Sequence, residues 1–296
     1  MVNGGITDGF EFRQIVKQNS FTQHLEWPYW DNPDCINKFK TSPCQYSGLP
    51  LKVMILGDSH GNHLYPGIAS SVNPGYGVFS GGTCPPLIGI RAYVDKNQAA
   101  HACATADYLS RNFDILDSNS SIKTVVISAA WRIILDGNFL NPAHKEFWGG
   151  VKNKSLDESE KNLPNDVLVY LGLKRTISAI SQRGKEVIFI RSTPDFSKDI
   201  TEICIKRFSG DSLKQDCSIP RSIFDARRQS EDRLLSRLIQ DFPNLKIFDP
   251  YDVLCSREEC FLVLNGMPLY RDSFHLSVYG SGLVGKALVH KYGHLF

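Results

Sequence analysis

Residues 51–60 read Leu-Lys-Val-Met-Ile-Leu-Gly-Asp-Ser-His, an apolar run that ends at a glycine and is followed at once by polar side chains. Its length and composition are typical of a strand buried on both faces of a parallel sheet. Ser59 is therefore expected just beyond the carboxyl end of a strand, where ligands bind in open α/β sheets. A helix predicted over 60–71 would point its free N–H groups and positive dipole end at this position.

Strands and helices of similar length alternate along the rest of the chain. Strands are predicted at 51–57, 76–79, 124–131, 186–190 and 245–250. Helices are predicted at 60–71, 96–117, 166–182, 222–241 and 277–291, with an insertion at 136–164 and a loop at 195–220. This alternation predicts an α/β fold with a parallel sheet and helices on both faces.

Residues 1–50 differ from the rest of the chain. They contain Trp27, Tyr29 and Trp30 among several prolines and show no long periodic element. We predict two parts: an N-terminal extension or linker, 1–50, that packs on the main domain, and the main domain itself, 51–296.

The charge balance narrows the classes of partner. The 33 basic and 31 acidic residues leave a net charge of +2. This balance gives no electrostatic reason to expect binding to nucleic acid or to an anionic membrane surface.

The eight cysteines fall into four close pairs along the sequence. Short local spacing in loop-like surroundings favours four disulfides, although eight cysteines permit roughly a hundred pairings. The favoured pairs are Cys35–Cys44, Cys84–Cys103, Cys204–Cys217 and Cys255–Cys260. Buried free thiols are the alternative, and a zinc site is disfavoured because no C-x-x-C occurs. Disulfides would indicate an oxidising compartment.

The chain shows neither a signal peptide at its first residues nor an apolar stretch of membrane-spanning length. Because disulfides indicate export, we expect this chain to be the exported portion of a longer protein.

Asp272 and His275 lie three residues apart near the other end of the chain. A serine hydroxyl needs a base within hydrogen-bond reach and a third group that orients the base. Ser59, His275 and Asp272 could fill these roles. Taken alone, Ser59 could be a helix cap, and Asp272 with His275 a surface turn. A nucleotide-binding loop is disfavoured because no G-x-G-x-x-G motif or Walker lysine is present.

Four blocks together resemble the SGNH, or GDSL, hydrolase family. They are 57–64 (GDSHGNHL), 81–87 (GGTCPPL), 128–132 (SAAWR) and 268–277 (PLYRDSFHLS). More narrowly, the chain resembles the extracytoplasmic SGNH domain fused to membrane acyltransferases of the acyltransferase-three family, which O-acetylate bacterial surface glycans. The resemblance covers about 51–291, and the stretch 1–50 resembles the linking extension of those proteins.

The resemblance implies a three-layer α/β/α sandwich with Ser59 as nucleophile, His275 as base and Asp272 as orienting acid. It also implies an oxyanion hole that includes the backbone N–H of Ser59 and of a glycine after the second strand, for which Gly81 is preferred.

The third oxyanion donor is where this sequence departs from the secreted SGNH esterases. Their G-x-N-D block is missing, since the corresponding strand ends in Ala130-Trp131-Arg132. Arg132 or the Trp131 indole N–H could substitute, although core packing is the alternative role for Trp131. Losing one oxyanion donor costs on the order of 10²–10³ in rate, which favours slow hydrolysis, another acceptor or a partner domain.

Three further residues are candidates for substrate contacts. His60 and His63 follow the nucleophile, and Tyr270 could offer a flat face to a sugar ring. The alternative is that these side chains serve packing.

The resemblance implies a serine-dependent O-acetyltransferase in the periplasm that works with, or is fused to, a transmembrane acyltransferase domain. The acceptor would be a glycan, with lipopolysaccharide O-antigen favoured. No metal or tightly bound cofactor is implied; an acetyl donor such as acetyl-CoA would act indirectly through the membrane domain. A carbohydrate or lipid acetylesterase using the same residues is the alternative, and a non-catalytic glycan-binding module is a third.

Overall fold

The computed structural model describes residue 25 and residues 32–42, 44–82, 84–94, 96, 103, 107–206 and 212–296. Its strands are β1 (Cys44–Tyr46), β2 (Leu51–Gly57), β3 (Gly77–Gly81), β4 (Ile90–Val94), β5 (Thr124–Ser128), β6 (Val151–Ser155), β7 (Glu186–Ile190), β8 (Ile205–Lys206), β9 (Ser212–Leu213), β10 (Cys217–Pro220), β11 (Lys246–Phe248), β12 (Glu259–Leu264) and β13 (Met267–Pro268). Its α-helices are α1 (Pro33–Phe39), α2 (Ser59–Asn62), α3 (Tyr65–Ser71), α4 (Asp107–Ser118), α5 (Trp131–Asp136), α6 (Pro142–Trp148), α7 (Asn165–Ser181), α8 (Ile200–Cys204), α9 (Ser222–Asp225), α10 (Gln229–Asp241), α11 (Tyr251–Leu254) and α12 (Val278–Tyr292).

Six strands form the central sheet in the order β1-β3-β2-β5-β7-β11. The last five run parallel, and β1 pairs antiparallel with β3 at the edge. The predicted α/β fold with a central parallel sheet is confirmed. Strand β1 comes from the predicted extension 1–50, so residues 44–46 belong to the sheet itself. Trp27, Tyr29 and Trp30 of this predicted extension lie outside the described residues.

The sheet is covered on both faces because side chains of β2 alternate between two cores. Met54 and Leu56 pack in one core with residues of α4, α7 and α10. Val53 and Ile55 pack in the other with residues of α3 and α12. Successive side chains of a strand point to opposite faces, so an apolar run gives a strand that is buried on both sides.

Helices α3 and α12 cross at very close range. A Cβ atom at Gly67 would lie 1.8 Å from the Ser281 carbonyl oxygen, and one at Gly285 would lie 2.1 Å from the Gly67 carbonyl carbon. The Gly67 N–H donates to Ser281 Oγ at 2.9 Å. Helix α3 follows Ser59 and α12 follows His275, so this crossing joins the two ends of the chain that carry the predicted site.

Several predicted element bounds were wrong. The strand predicted over 124–131 ends at Ser128, and Trp131 begins α5. The predicted helices over 60–71 and 222–241 are each broken into two. The insertion 136–164 contains α6 and β6, and β6 pairs with β4; the loop 195–220 contains α8 and short strands. Of the helix predicted over 96–117, the structure has 107–118, and 97–102 and 104–106 lie outside the described residues.

All four predicted disulfides are present: Cys35–Cys44, Cys84–Cys103, Cys204–Cys217 and Cys255–Cys260. They use every cysteine of the chain. The alternatives of buried free thiols and a cysteine zinc site are therefore excluded.

Candidate active site

Ser59 lies at the carboxyl end of β2, as the first residue of the short helix α2. The preceding residue, Asp58, caps this helix: one carboxylate oxygen accepts the His60 N–H at 2.8 Å. Its other oxygen accepts the Ala130 N–H at 3.0 Å from the turn after β5. One buried carboxylate thus fixes the turn that presents Ser59 and joins it to the neighbouring strand. Burial raises the pKa of Asp58 to about 6.

His275 lies between Ser59 and Asp272. Its Nε2 is 2.8 Å from Ser59 Oγ, and its Nδ1 is 2.8 Å from Asp272 Oδ2. The other Asp272 oxygen accepts the N–H groups of Phe274 and His275 at 3.0 and 2.8 Å. The side chains of Asp272 and His275 are 20% and 15% exposed, so the group borders solvent. This is the order of contacts in which an imidazole can take a proton from a serine while an acid orients the ring.

The environment keeps Asp272 ionised. Burial opposes its ionisation, but His275 and the two backbone N–H donors outweigh burial and hold the pKa of Asp272 below its usual range. An ionised Asp272 accepts the Nδ1–H of His275, which leaves Nε2 as the nitrogen that faces Ser59.

Two glycines follow one another at the carboxyl end of β3, the strand next to β2. Gly81 ends β3, and Gly82 follows with φ of +117°. A Cβ atom at Gly82 would lie 1.6 Å from the Tyr108 ring, so only glycine fits. Asn62 Nδ2 donates to the Gly82 carbonyl at 3.0 Å, and Tyr108 Oη donates to the Gly57 carbonyl at 3.0 Å. Gly81 thus ends the strand next to β2, at the same edge of the sheet as Ser59, and its role as a donor stays a prediction.

Comparisons with known proteins identify the family and the fold of this chain. The family described as "SGNH domain (fused to AT3 domains)" matches residues 29–289. The chain belongs to this family. A solved structure, the periplasmic domain of a lipopolysaccharide acetyltransferase from Salmonella ser. Paratyphi A, aligns with a TM-score of 0.57 at 13% identity and covers 97% of this chain and 98% of that one. Among curated protein sequences, none matches.

His60 and His63 do not face a substrate in this SGNH domain. They are 3% and 4% exposed, and their rings lie behind His275, with centroids 5.3 and 6.1 Å from its ring. His63 Nδ1 accepts the Leu276 N–H at 3.2 Å. The prediction of substrate contacts for both was wrong, because both rings fill the space between α2 and the loop that carries His275.

Burial also keeps both histidines uncharged. It lowers their pKa values well below the usual value for histidine, and the neighbouring His275 adds to the effect. His60 and His63 therefore add no positive charge next to the ring of His275.

Tyr270 is likewise out of reach of a substrate. It is fully buried, and its ring packs edge-on against Phe196 with centroids 4.8 Å apart. The prediction that it offers a flat face to a sugar was wrong, because the side chain belongs to the core beneath the site.

The two candidates for a third oxyanion donor are engaged elsewhere. Trp131 is fully buried, and its indole N–H donates to the Ile190 carbonyl at 2.9 Å. The Arg132 guanidinium is paired with Asp195 at 2.6 Å and donates to the Asn138 carbonyl at 3.1 Å. Both predictions were wrong, because α5 turns these side chains into the core and toward β7. The structure assigns no replacement.

Sequence reasoning missed the polar residues that hold the site together. Asn62, Tyr108 and Asn141 each anchor a loop by a side-chain hydrogen bond to a residue far along the chain. No periodic pattern marks such residues. Across the described residues, no helix has the length and apolarity to cross a membrane, and no cluster of His, Cys, Asp or Glu is arranged for a metal ion.

Proposed function

We propose that this SGNH domain is a serine-dependent O-acyltransferase that carries an acetyl group on Ser59 to a hydroxyl of a bacterial surface glycan. The leading acceptor is lipopolysaccharide O-antigen. One observation carries the proposal: His275 contacts Ser59 Oγ and Asp272 Oδ2 at 2.8 Å each, at the carboxyl end of the central sheet.

The first half of the reaction acylates the enzyme. Ser59 Oγ attacks the acetyl carbonyl as its proton passes to His275 Nε2, and Asp272 stabilises the imidazolium. The Ser59 N–H, with Gly81 as the proposed second donor, bonds the oxyanion. The bond from the carbonyl carbon to the donor oxygen then breaks, and that oxygen takes the proton from His275.

The second half transfers the acetyl group to the acceptor. A glycan hydroxyl gives its proton to His275 and attacks the acetyl-serine carbonyl. The ester bond to Ser59 breaks, and Ser59 Oγ recovers the proton. If water attacks instead, the same residues make an acetylesterase.

The family and the disulfides support a location and a partner. Members are described as fused to AT3 domains, and the similar Salmonella structure is described as a periplasmic domain. Four disulfides suit an oxidising compartment such as the periplasm. We infer that a membrane acyltransferase domain supplies the acetyl group and that the SGNH domain passes this group on to the acceptor.

Trapping the acyl-enzyme tests the proposal. The chain is incubated with p-nitrophenyl acetate, and peptide mass spectrometry locates the ester. We expect acetyl on Ser59, none in Ser59→Ala, and wild-type behaviour in Ser70→Ala, a serine on the exposed side of α3.

The trapped species also separates the alternatives. Release of acetyl onto a base-treated, lipid-free O-polysaccharide supports transfer, and release only to water supports an esterase. If Ser59→Ala leaves both acetate hydrolysis and glycan acetylation unchanged, the domain is a binding module and the enzymatic proposal is refuted.

A further inference from the structure

An aromatic surface continues from the site onto the predicted insertion. The Phe274 ring lies 4.1 Å from the His275 ring and meets the His144 ring edge-on at 4.9 Å. His144 belongs to α6, and Phe147 and Trp148 follow one turn later, with ring centroids 4.6 Å apart. We name Phe274, His144, Phe147 and Trp148 the aromatic shelf.

The shelf has a fixed position relative to His275. Asn141 caps α6 and donates from Nδ2 to Ser273 Oγ at 3.3 Å and to Asp199 Oδ1 at 3.2 Å. The other end of α6 is held by Lys96, whose backbone N–H donates to the Trp148 carbonyl at 3.1 Å. Phe274 is packed from below by Ile133. The helix is therefore tied to the same loop that carries the base.

The outer part of the shelf is open to solvent. Phe147 is 59% exposed, although it is a large apolar side chain, and His144 and Trp148 are half-buried. Burial lowers the pKa of His144, so its imidazole is neutral at neutral pH. A contiguous exposed apolar surface rimmed by polar residues marks an interaction site in soluble proteins.

The chemistry of the shelf fits a sugar ring. A pyranose has apolar C–H faces and hydroxyl edges. The faces of aromatic rings carry partial negative charge that attracts such C–H groups, and imidazole and indole N–H groups can bond hydroxyls. An acyl chain would instead require an enclosed apolar pocket.

We propose that the aromatic shelf is the acceptor subsite of this domain, where pyranose rings of the glycan lie across His144 and Phe147 while the reacting hydroxyl points toward Ser59. The proposal rests on the proposed function, since it names where that acceptor binds. It assigns binding to a surface on the insertion, outside the Ser59, His275 and Asp272 group.

The ligands are base-treated, lipid-free O-polysaccharides, both neutral and amino-sugar-rich. Calorimetric titration measures their binding, and acetyl transfer from p-nitrophenyl acetate measures their use as acceptors. We expect Phe147→Ala to raise both the Kd and the KM for polysaccharide about tenfold, as loss of one stacked ring predicts. We expect His144→Ala to raise the Kd and the KM as well, and Phe147→Trp to keep both near the wild-type values.

Tyr76→Ala is the matched control. Tyr76 is an aromatic residue that is 45% exposed and directly precedes β3, at the far end of the strand from Gly81. This variant should leave the Kd and the KM unchanged. Thermal melts that match the wild type show that each variant is folded.

The outcomes separate this proposal from the proposed function. If the wild type binds polysaccharide, Phe147→Ala weakens that binding and no acetyl transfer is detected, the aromatic shelf is supported and the transferase is refuted. Acetyl transfer with an unchanged KM and Kd in Phe147→Ala and His144→Ala would refute the shelf alone. The proposed shelf would also be overturned if the wild type bound none of the polysaccharides. Binding of micelles formed by a dodecanoyl-chain lipid, in place of polysaccharide, would overturn it as well.

Discussion

Replacement of His63 tests whether a residue behind the base controls the reaction. His63 contacts no substrate, but its Nδ1 accepts the N–H of Leu276, the residue directly after His275. The side chain is 4% exposed, so water cannot replace this acceptor. His63→Leu fills the same space with an apolar side chain and removes the acceptor. His63→Asn keeps an oxygen near the position of Nδ1.

The magnitude follows from two costs. A buried N–H without a partner costs about 1–3 kcal/mol. At roughly 2–4 °C per kcal/mol for a chain of this size, we expect His63→Leu to lower the melting temperature by about 2–12 °C. A displacement of about 1 Å in a reacting group can cost about 10²-fold in rate, so we expect kcat for acetate hydrolysis to fall by about 10- to 100-fold.

The assay is steady-state hydrolysis of p-nitrophenyl acetate across pH, together with thermal melts. A positioning role predicts lower kcat, little change in KM and an unchanged shape of the pH profile, with most activity recovered in His63→Asn. Equal losses in His63→Leu and His63→Asn would show that packing alone matters. Wild-type kcat in His63→Leu would refute the reasoning, and a changed pH profile would assign His63 a role in proton transfer.

Two further predictions concern the orienting acid and the helix crossing. Asp272→Asn should lower kcat by about 10⁴-fold, because the imidazole tautomer is no longer fixed. The lowered pKa of Asp272 stabilises the fold above its ordinary pKa, and this contribution is lost as pH falls. The urea unfolding free energies of wild type and Asp272→Asn should therefore differ more at pH 6 than at pH 3. Gly285→Ala should destabilise the fold by about 1–3 kcal/mol, because its Cβ would meet Gly67, whereas Gly282→Ala, which has open space, should not.

The features that the sequence predicted correctly depend on local pattern. The apolar run of β2 followed by Gly57-Asp58-Ser59 placed the nucleophile candidate, and the spacing of Asp272 and His275 placed its helpers. The four disulfides also followed from local spacing. Each disulfide and each half of the site lies within about twenty residues of sequence, whereas the contact between Ser59 and His275 joins residues 216 positions apart.

The predictions that failed depend on contacts between distant residues. The apolar stretch through Ala129-Ala130-Trp131 favours a strand by composition, but the strand ends because Asp58 accepts the N–H of Ala130. These two residues lie 72 positions apart. His63 is polar and directly follows α2, so sequence alone leaves it equally suited to contact substrate or to pack. Only the partner at Leu276 decides between these roles.

The loop that carries His275 is held from two sides. This arrangement couples the position of the base to the position of the proposed acceptor surface. From the inside, His63 holds the loop at Leu276 through a bond between residues 213 positions apart. From the outside, Asn141 holds it at Ser273 through the insertion that also carries His144. A shift of α6 would therefore move both the proposed acceptor surface and the base. Substitutions that repack α6 should change the balance between transfer and hydrolysis more than substitutions of equal size on other surfaces.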